Sequence, residues 1–104
     1  MSTQTFTSNA EFVNKISKGL VLVKFTATWC GPCKQLAPKM ELVAEANITV
    51  EKILVDENQE ITQQYGIRNI PTVLLIDENG TEIERFVGVN EVGFYLEKFE
   101  EHAN

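Results

Sequence analysis

Apolar residues along this chain alternate between short unbroken runs and longer stretches that carry a single apolar stripe. Leu20-Val21-Leu22-Val23-Lys24-Phe25 is the clearest run. It is β-prone, and Lys24 alone interrupts it, so it predicts a central strand buried on both faces. Residues 48–55, ending before Asp56, and residues 72–76, following Pro71, predict two further buried strands. A short first strand is expected at 4–6. Asp77-Glu78-Asn79-Gly80 reads as a hairpin turn, with Asn-Gly as its marker, and returns the chain into a strand over 81–87.

The striped stretches predict four helices. Ser8 and Glu11 form a capping box ahead of Phe12, Val13 and Ile16, and Gly19 closes that helix. A long helix over about residues 31–46 carries Leu36, Met40, Leu42, Val43 and Ala46, and Pro38 inside it predicts a kink. Asn58 is expected to cap a short helix over 59–65 that ends at Gly66. A last helix opens at Asn90 or Glu91 and turns Val92, Phe94, Tyr95, Leu96 and Phe99 inward. The order β-α-β-α-β-α-β-β-α predicts an α/β fold, one domain over 1–104 with a central mixed five-stranded sheet flanked by four helices on both faces. Strands joined through helices are expected to run parallel, and the hairpin adds antiparallel pairing. Phe6, Phe12, Phe25, Phe86, Phe94 and Phe99 read as core packing.

Composition narrows the function more than the fold. The chain has 104 residues, 43% hydrophobic and 23% charged, which suits one globular core. Its net charge of -6, without any Lys/Arg cluster, argues against nucleic acid and anionic lipid as partners. No run of apolar residues is long enough for a spanning helix, and the first eight residues lack the basic start and apolar centre of a signal peptide. The expectation is a cytoplasmic monomer.

The only cysteines are Cys30 and Cys33. In a helix, positions three apart lie about 5 Å apart at Cα, inside the range a disulfide accepts. As a staple, a four-residue loop contributes only about 2 kcal/mol, so a bond that opens and closes makes more chemical sense. The pair falls between a strand and a helix start, where unpaired N–H groups stabilise a thiolate, and Lys34 adds a cation. Lowering the thiol pKa from about 8.5 to about 7 raises the thiolate fraction at pH 7 from about 3% to about 50%. The accompanying loss of nucleophilicity leaves a net gain of only about threefold. Positioning must supply the rest, and Pro32 in the first helical turn stiffens it. Zinc is a competing reading, but it needs two more ligands and only His102 remains as a nitrogen donor, in a charged helix end that reads as solvated. Two inert buried thiols are the other. No metal or bound cofactor is expected.

Trp29-Cys30-Gly31-Pro32-Cys33-Lys34 resembles the active-site motif of the thioredoxin family, and Gly66-Ile67-Arg68-Asn69-Ile70-Pro71-Thr72 resembles its cis-proline loop. Pro38, Lys52, Asp56, Asn79-Gly80 and Val87-Gly88 fall in register with the family, so the resemblance covers about residues 8–102. It implies that Cys30 attacks a substrate disulfide and that Cys33 resolves the mixed disulfide. It also implies protein-disulfide substrates, a thioredoxin reductase (an NADPH-fed flavoprotein) as partner, Ile70 and cis-Pro71 facing the dithiol, and a rim of Trp29, Gly31, Pro32, Gly88 and Val89. Alternatives remain: a binding subunit of a larger enzyme, or a more oxidising oxidase or isomerase.

Lys24 departs from the family, which usually carries a buried Asp six residues before the first cysteine; Thr26 replaces a frequent aromatic. Lys24 either tunes Cys33, as a base or as a cation beside its thiolate, or only packs its stem and snorkels its amine to water.

Overall fold

The computed structural model describes residues 19–103 and the backbone of Gln4–Phe6. Its elements are β1 (Gln4–Phe6), β2 (Val21–Thr26), α1 (Gly31–Ala44), β3 (Val50–Leu54), α2 (Gln59–Gln64), β4 (Thr72–Ile76), β5 (Glu82–Val87) and α3 (Val92–Ala103). The helix expected over 8–19, with Phe12, lies outside the described residues apart from Gly19. The five strands form one mixed sheet in the order β1-β3-β2-β4-β5, so β2 is central.

Every residue of β2 and β4 is buried, as their unbroken apolar runs require. Alternation divides them between two cores. Leu22, Val73 and Leu75 pack with Leu36, Met40 and Val43 of α1 and Tyr95 of α3 on one face. Val21, Val23, Phe25, Leu74 and Ile76 pack with Ile53 and with Ile61 of α2 on the other. Helices therefore cover both faces. In α3, Tyr95 is fully buried while Val92, Phe94, Leu96 and Phe99 pack against the first core from a partly exposed position.

β1 and β2 both run parallel to β3. β4 does not follow the parallel rule expected for strands joined through a helix: it is antiparallel to β2, with Phe25 opposite Thr72. The reason is length. α1 has 14 residues and about 21 Å of rise, enough to carry the chain back along the sheet. α2 has six residues and about 9 Å, so the chain re-enters the sheet at the end it left.

Local chemistry sets the boundaries. α1 stops at Ala44, two residues early, in a turn that ends on Asn47 with a left-handed φ of 64°. Leu42, expected inside, is 53% exposed. It lies two residues from the buried Met40, about 200° around the helix and away from the stripe. Asn58 precedes α2, but its side chain donates backwards to the Leu54 carbonyl at 3.0 Å instead of capping the helix. α2 closes in a Schellman pattern: Ile67 N–H reaches Thr62 O, Gly66 N–H reaches Gln63 O, and Ile67 packs against the core that contains Ile61. Gly66 sits at φ 61°, and nothing within 4 Å would meet an added Cβ. Gly66→Ala should therefore destabilise by about 1 kcal/mol through backbone conformation alone, readable as a small drop in urea midpoint with unchanged slope. At the hairpin, Gly80 is left-handed while Asp77 accepts N–H bonds from Asn79 and Thr81, so the Asp77 carboxylate shapes the turn together with Asn-Gly.

Candidate active site

β2 ends at Thr26, and Ala27 to Trp29 turn the chain into α1. Cys30 holds an extended conformation at the N-cap, and its N–H bonds the Ala27 carbonyl at 3.3 Å. Cys30 and Cys33 are joined as a disulfide with Cα atoms 5.3 Å apart. Cys33 N–H donates to Cys30 Sγ at 3.2 Å. Sulfur thus takes the place of the oxygen that usually caps a helix, and the Cys33 N–H of the first turn points at the atom that carries the charge of a thiolate. Pro32 lies in that first turn, and no acidic side chain opposes the field there. Both cysteines are nearly enclosed, Cys30 at 6% and Cys33 at 3% exposure.

The loop ahead of β4 closes the site. The Ile70–Pro71 peptide is cis, and the Ile70 carbonyl oxygen lies 3.9 Å from Cys30 Sγ. Pro71 is buried, and its own carbonyl accepts the Gly88 N–H at 2.9 Å, which fastens the end of β5 to the loop. Ile70 packs against the cysteines and Ala27. Val89 leans into the core beneath α1 and α3. Gly31, Pro32 and Lys34 are exposed, and Trp29 is 67% exposed, unusual for so large an apolar ring. The structure therefore gathers Cys30, Cys33, Ile70, Pro71 and Gly88 around one disulfide, with Trp29 and Pro32 standing at its mouth.

Asp56 belongs to this site too: its carboxylate accepts the Trp29 indole N–H at 2.7 Å. The sequence marked Asp56 as the end of a strand and as a position in register with the family, but gave it no contact. The missing signal was register: β2 and β3 are parallel, and Val55 N–H still bonds Thr26 O at 2.9 Å, so the residues after both strands emerge side by side.

Lys24 is 3% exposed, one of few buried charges among the described residues. It pairs in register with Lys52 of β3 and with Val73 of β4. Its side chain lines a cavity of about 200 Å³ between α1 and the β2–β3 strands, shared with Lys52, Glu41, Ala27 and Ala37. Burial first, and the Lys52 charge second, lower its pKa from 10.5 to about 8, against a smaller opposing pull from Glu41. His102 is exposed, as expected, and in addition lies 2.6 Å from Glu84 on β5, because α3 brings its last turn back beside that strand.

A disulfide at a helix N-terminus, enclosed by a backbone carbonyl and bordered by exposed apolar side chains, defines a thiol–disulfide oxidoreductase. Comparison with known proteins agrees. The Thioredoxin family model matches residues 3–99. The thioredoxin of Chlamydia pneumoniae is 41% identical over 98 residues, covering 92% of this chain and 95% of that protein. The thioredoxin of Listeria monocytogenes is 42% identical over 84 residues, covering 78% and 81%. The fold matches that of a mutant thioredoxin from Halobacterium salinarum NRC-1 with a TM-score of 0.92 at 33% identity, covering 99% of this chain and 92% of that one. The chain belongs to the thioredoxin family. It is a protein-disulfide reductase whose redox group is the Cys30–Cys33 disulfide, which agrees with the expectation drawn from its sequence.

Proposed function

We propose that Cys30 is the attacking thiolate and Cys33 the resolving one. The observation that carries this reading is the Cys33 N–H held 3.2 Å from Cys30 Sγ at the helix N-terminus. Charge on Cys30 is stabilised there, whereas Cys33 already lies inside the helix. Cys30 thiolate attacks one sulfur of a substrate disulfide, and the other substrate sulfur leaves as a thiolate. Cys33 thiolate then attacks Cys30, expels the second substrate sulfur, and closes the Cys30–Cys33 bond. Two electrons pass from the protein to the substrate.

Ile70 and cis-Pro71 offer an extended substrate chain a backbone edge directly before the disulfide, and the missing proline N–H leaves no donor aimed at the sulfurs. Trp29, Gly31, Pro32, Gly88 and Val89 form the surrounding contact surface. Pro32 holds the first helical turn stiff, and Lys34 adds positive charge near it. In this reading the chain acts as a single-domain monomer in the cytoplasm. A thioredoxin reductase, passing electrons from NADPH through a flavin, returns the disulfide to the dithiol.

The test is a coupled assay with NADPH, a purified thioredoxin reductase and a protein carrying an accessible disulfide. NADPH consumption should require all three proteins together. If the dithiothreitol-reduced chain leaves the substrate disulfide intact, the proposed cycle is wrong. If it reduces that substrate but the reductase cannot recharge it, only the partner is wrong.

A further inference from the structure

The exchange above has no use for Lys24, although a buried lysine in a central strand is costly. Among the described residues Lys24 has no hydrogen bond or ion pair, and its charge is not neutralised by contact. Lys52 stands beside it on the neighbouring strand, so two ammonium groups share one side of the sheet. Glu41 from α1 is the carboxylate on the same cavity, and β4 contributes only Val73 at this level. A cavity of about 200 Å³ has room for several waters, which explains how the amine is tolerated.

The position of this cavity matters most. Ala27 lines it and also packs against Cys30 and Cys33. Ala37 lines it from α1, one helical turn beyond Cys33 on the same side. The cavity therefore lies directly behind the inner cysteine, on the side away from substrate. Lys24 is the buried cation on it.

We propose that Lys24 is a positioning residue for the second half-reaction, placing a positive charge behind Cys33 that stabilises its thiolate in the reduced protein and makes the disulfide easier to reduce. This rests on reading Cys30 and Cys33 as the redox pair. In the reduced protein the Cys33 thiolate and the Lys24 ammonium offset one another. When Cys33 attacks Cys30, its charge leaves with the substrate thiolate, which takes a proton from water, and Lys24 is left without an anion. The oxidised state thus carries an uncompensated buried cation that the reduced state does not. Reduction is favoured as long as Lys24 stays protonated, and the advantage fades as pH rises through about 8.

Equilibration of the wild-type protein, Lys24→Met and Lys24→Arg against glutathione, at pH 7 and again at pH 9.5, tests this. At pH 7 the Lys24→Met disulfide should resist reduction by about tenfold more than wild type, which corresponds to 29.6 mV. At pH 9.5 wild type should approach Lys24→Met. Lys24→Arg, which keeps its charge at both pH values, should match wild type at pH 7 and exceed it at pH 9.5. Equal constants for wild type and Lys24→Met at pH 7, or failure of arginine to restore the wild-type constant, overturns the proposal. If no variant forms the disulfide at all, the reading of the redox pair fails instead.

Discussion

Cys30→Ser should abolish turnover of protein disulfides, with a loss of about a thousandfold or more. A serine hydroxyl at the N-cap accepts the same N–H bond, so the helix and fold remain, but it is not ionised near neutral pH and cannot form a mixed disulfide. Cys33→Ser fails differently. Cys30 keeps its place at the helix N-terminus and attacks once, but the mixed disulfide then has no internal thiolate to resolve it. Mass measurement after mixing with a disulfide substrate should show a stable covalent adduct for Cys33→Ser and none for Cys30→Ser. An adduct through the 33 position in the Cys30→Ser protein, formed at a comparable rate, would reverse the proposed roles. The disulfide contributes little to stability by chain entropy, about 2 kcal/mol for so short a loop, so both variants should fold and the losses can be read as chemistry.

Much of this site was legible because its signals are local. Cys30 and Cys33 carry their geometry in a three-residue spacing, and the burial of 72–76 follows from an uninterrupted apolar run. Gly66 announced the end of α2 because a left-handed position there favours glycine. The misses came where one part of the chain depends on a distant part. The antiparallel course of β4 follows from how far a six-residue helix can carry the chain, a comparison between elements rather than a property of either. Asp56 reaches Trp29 only through the parallel register of β2 and β3. Asn58 has the right residue type for a cap, yet its amide finds the Leu54 carbonyl first. Leu42 is a case of a legible signal not followed, since its helical angle already sets it apart from Leu36, Met40 and Val43. Lys24 shows the sequence and structure working together: the break in an apolar run marks the residue, and only the fold reveals the cavity that it lines.

Lys24→Met should make the oxidised protein more stable at neutral pH, even though it removes a residue proposed to serve the reaction. The folded pKa is about 8 and the ordinary value is 10.5. Between those values the unfolded chain holds a proton that the folded protein has released, so raising the pH favours the fold. Below about pH 8 both states are protonated and the full burial cost is present, about 3 kcal/mol by linkage as an upper figure, since the cavity beside the amine has room for water. Methionine keeps an unbranched apolar stem at a site that is 3% exposed, and its removal of a charge also ends the repulsion from Lys52. Urea unfolding of both oxidised proteins between pH 6 and pH 10.5 should show Lys24→Met ahead by about 1–3 kcal/mol at pH 7, with wild type closing the gap as pH rises from 8 to 10.5. Two curves that run parallel across that range would mean that Lys24 titrates alike in both states and carries no burial cost. A gap that closes would mark stability given up at one position, directly behind the cysteine that resolves the reaction.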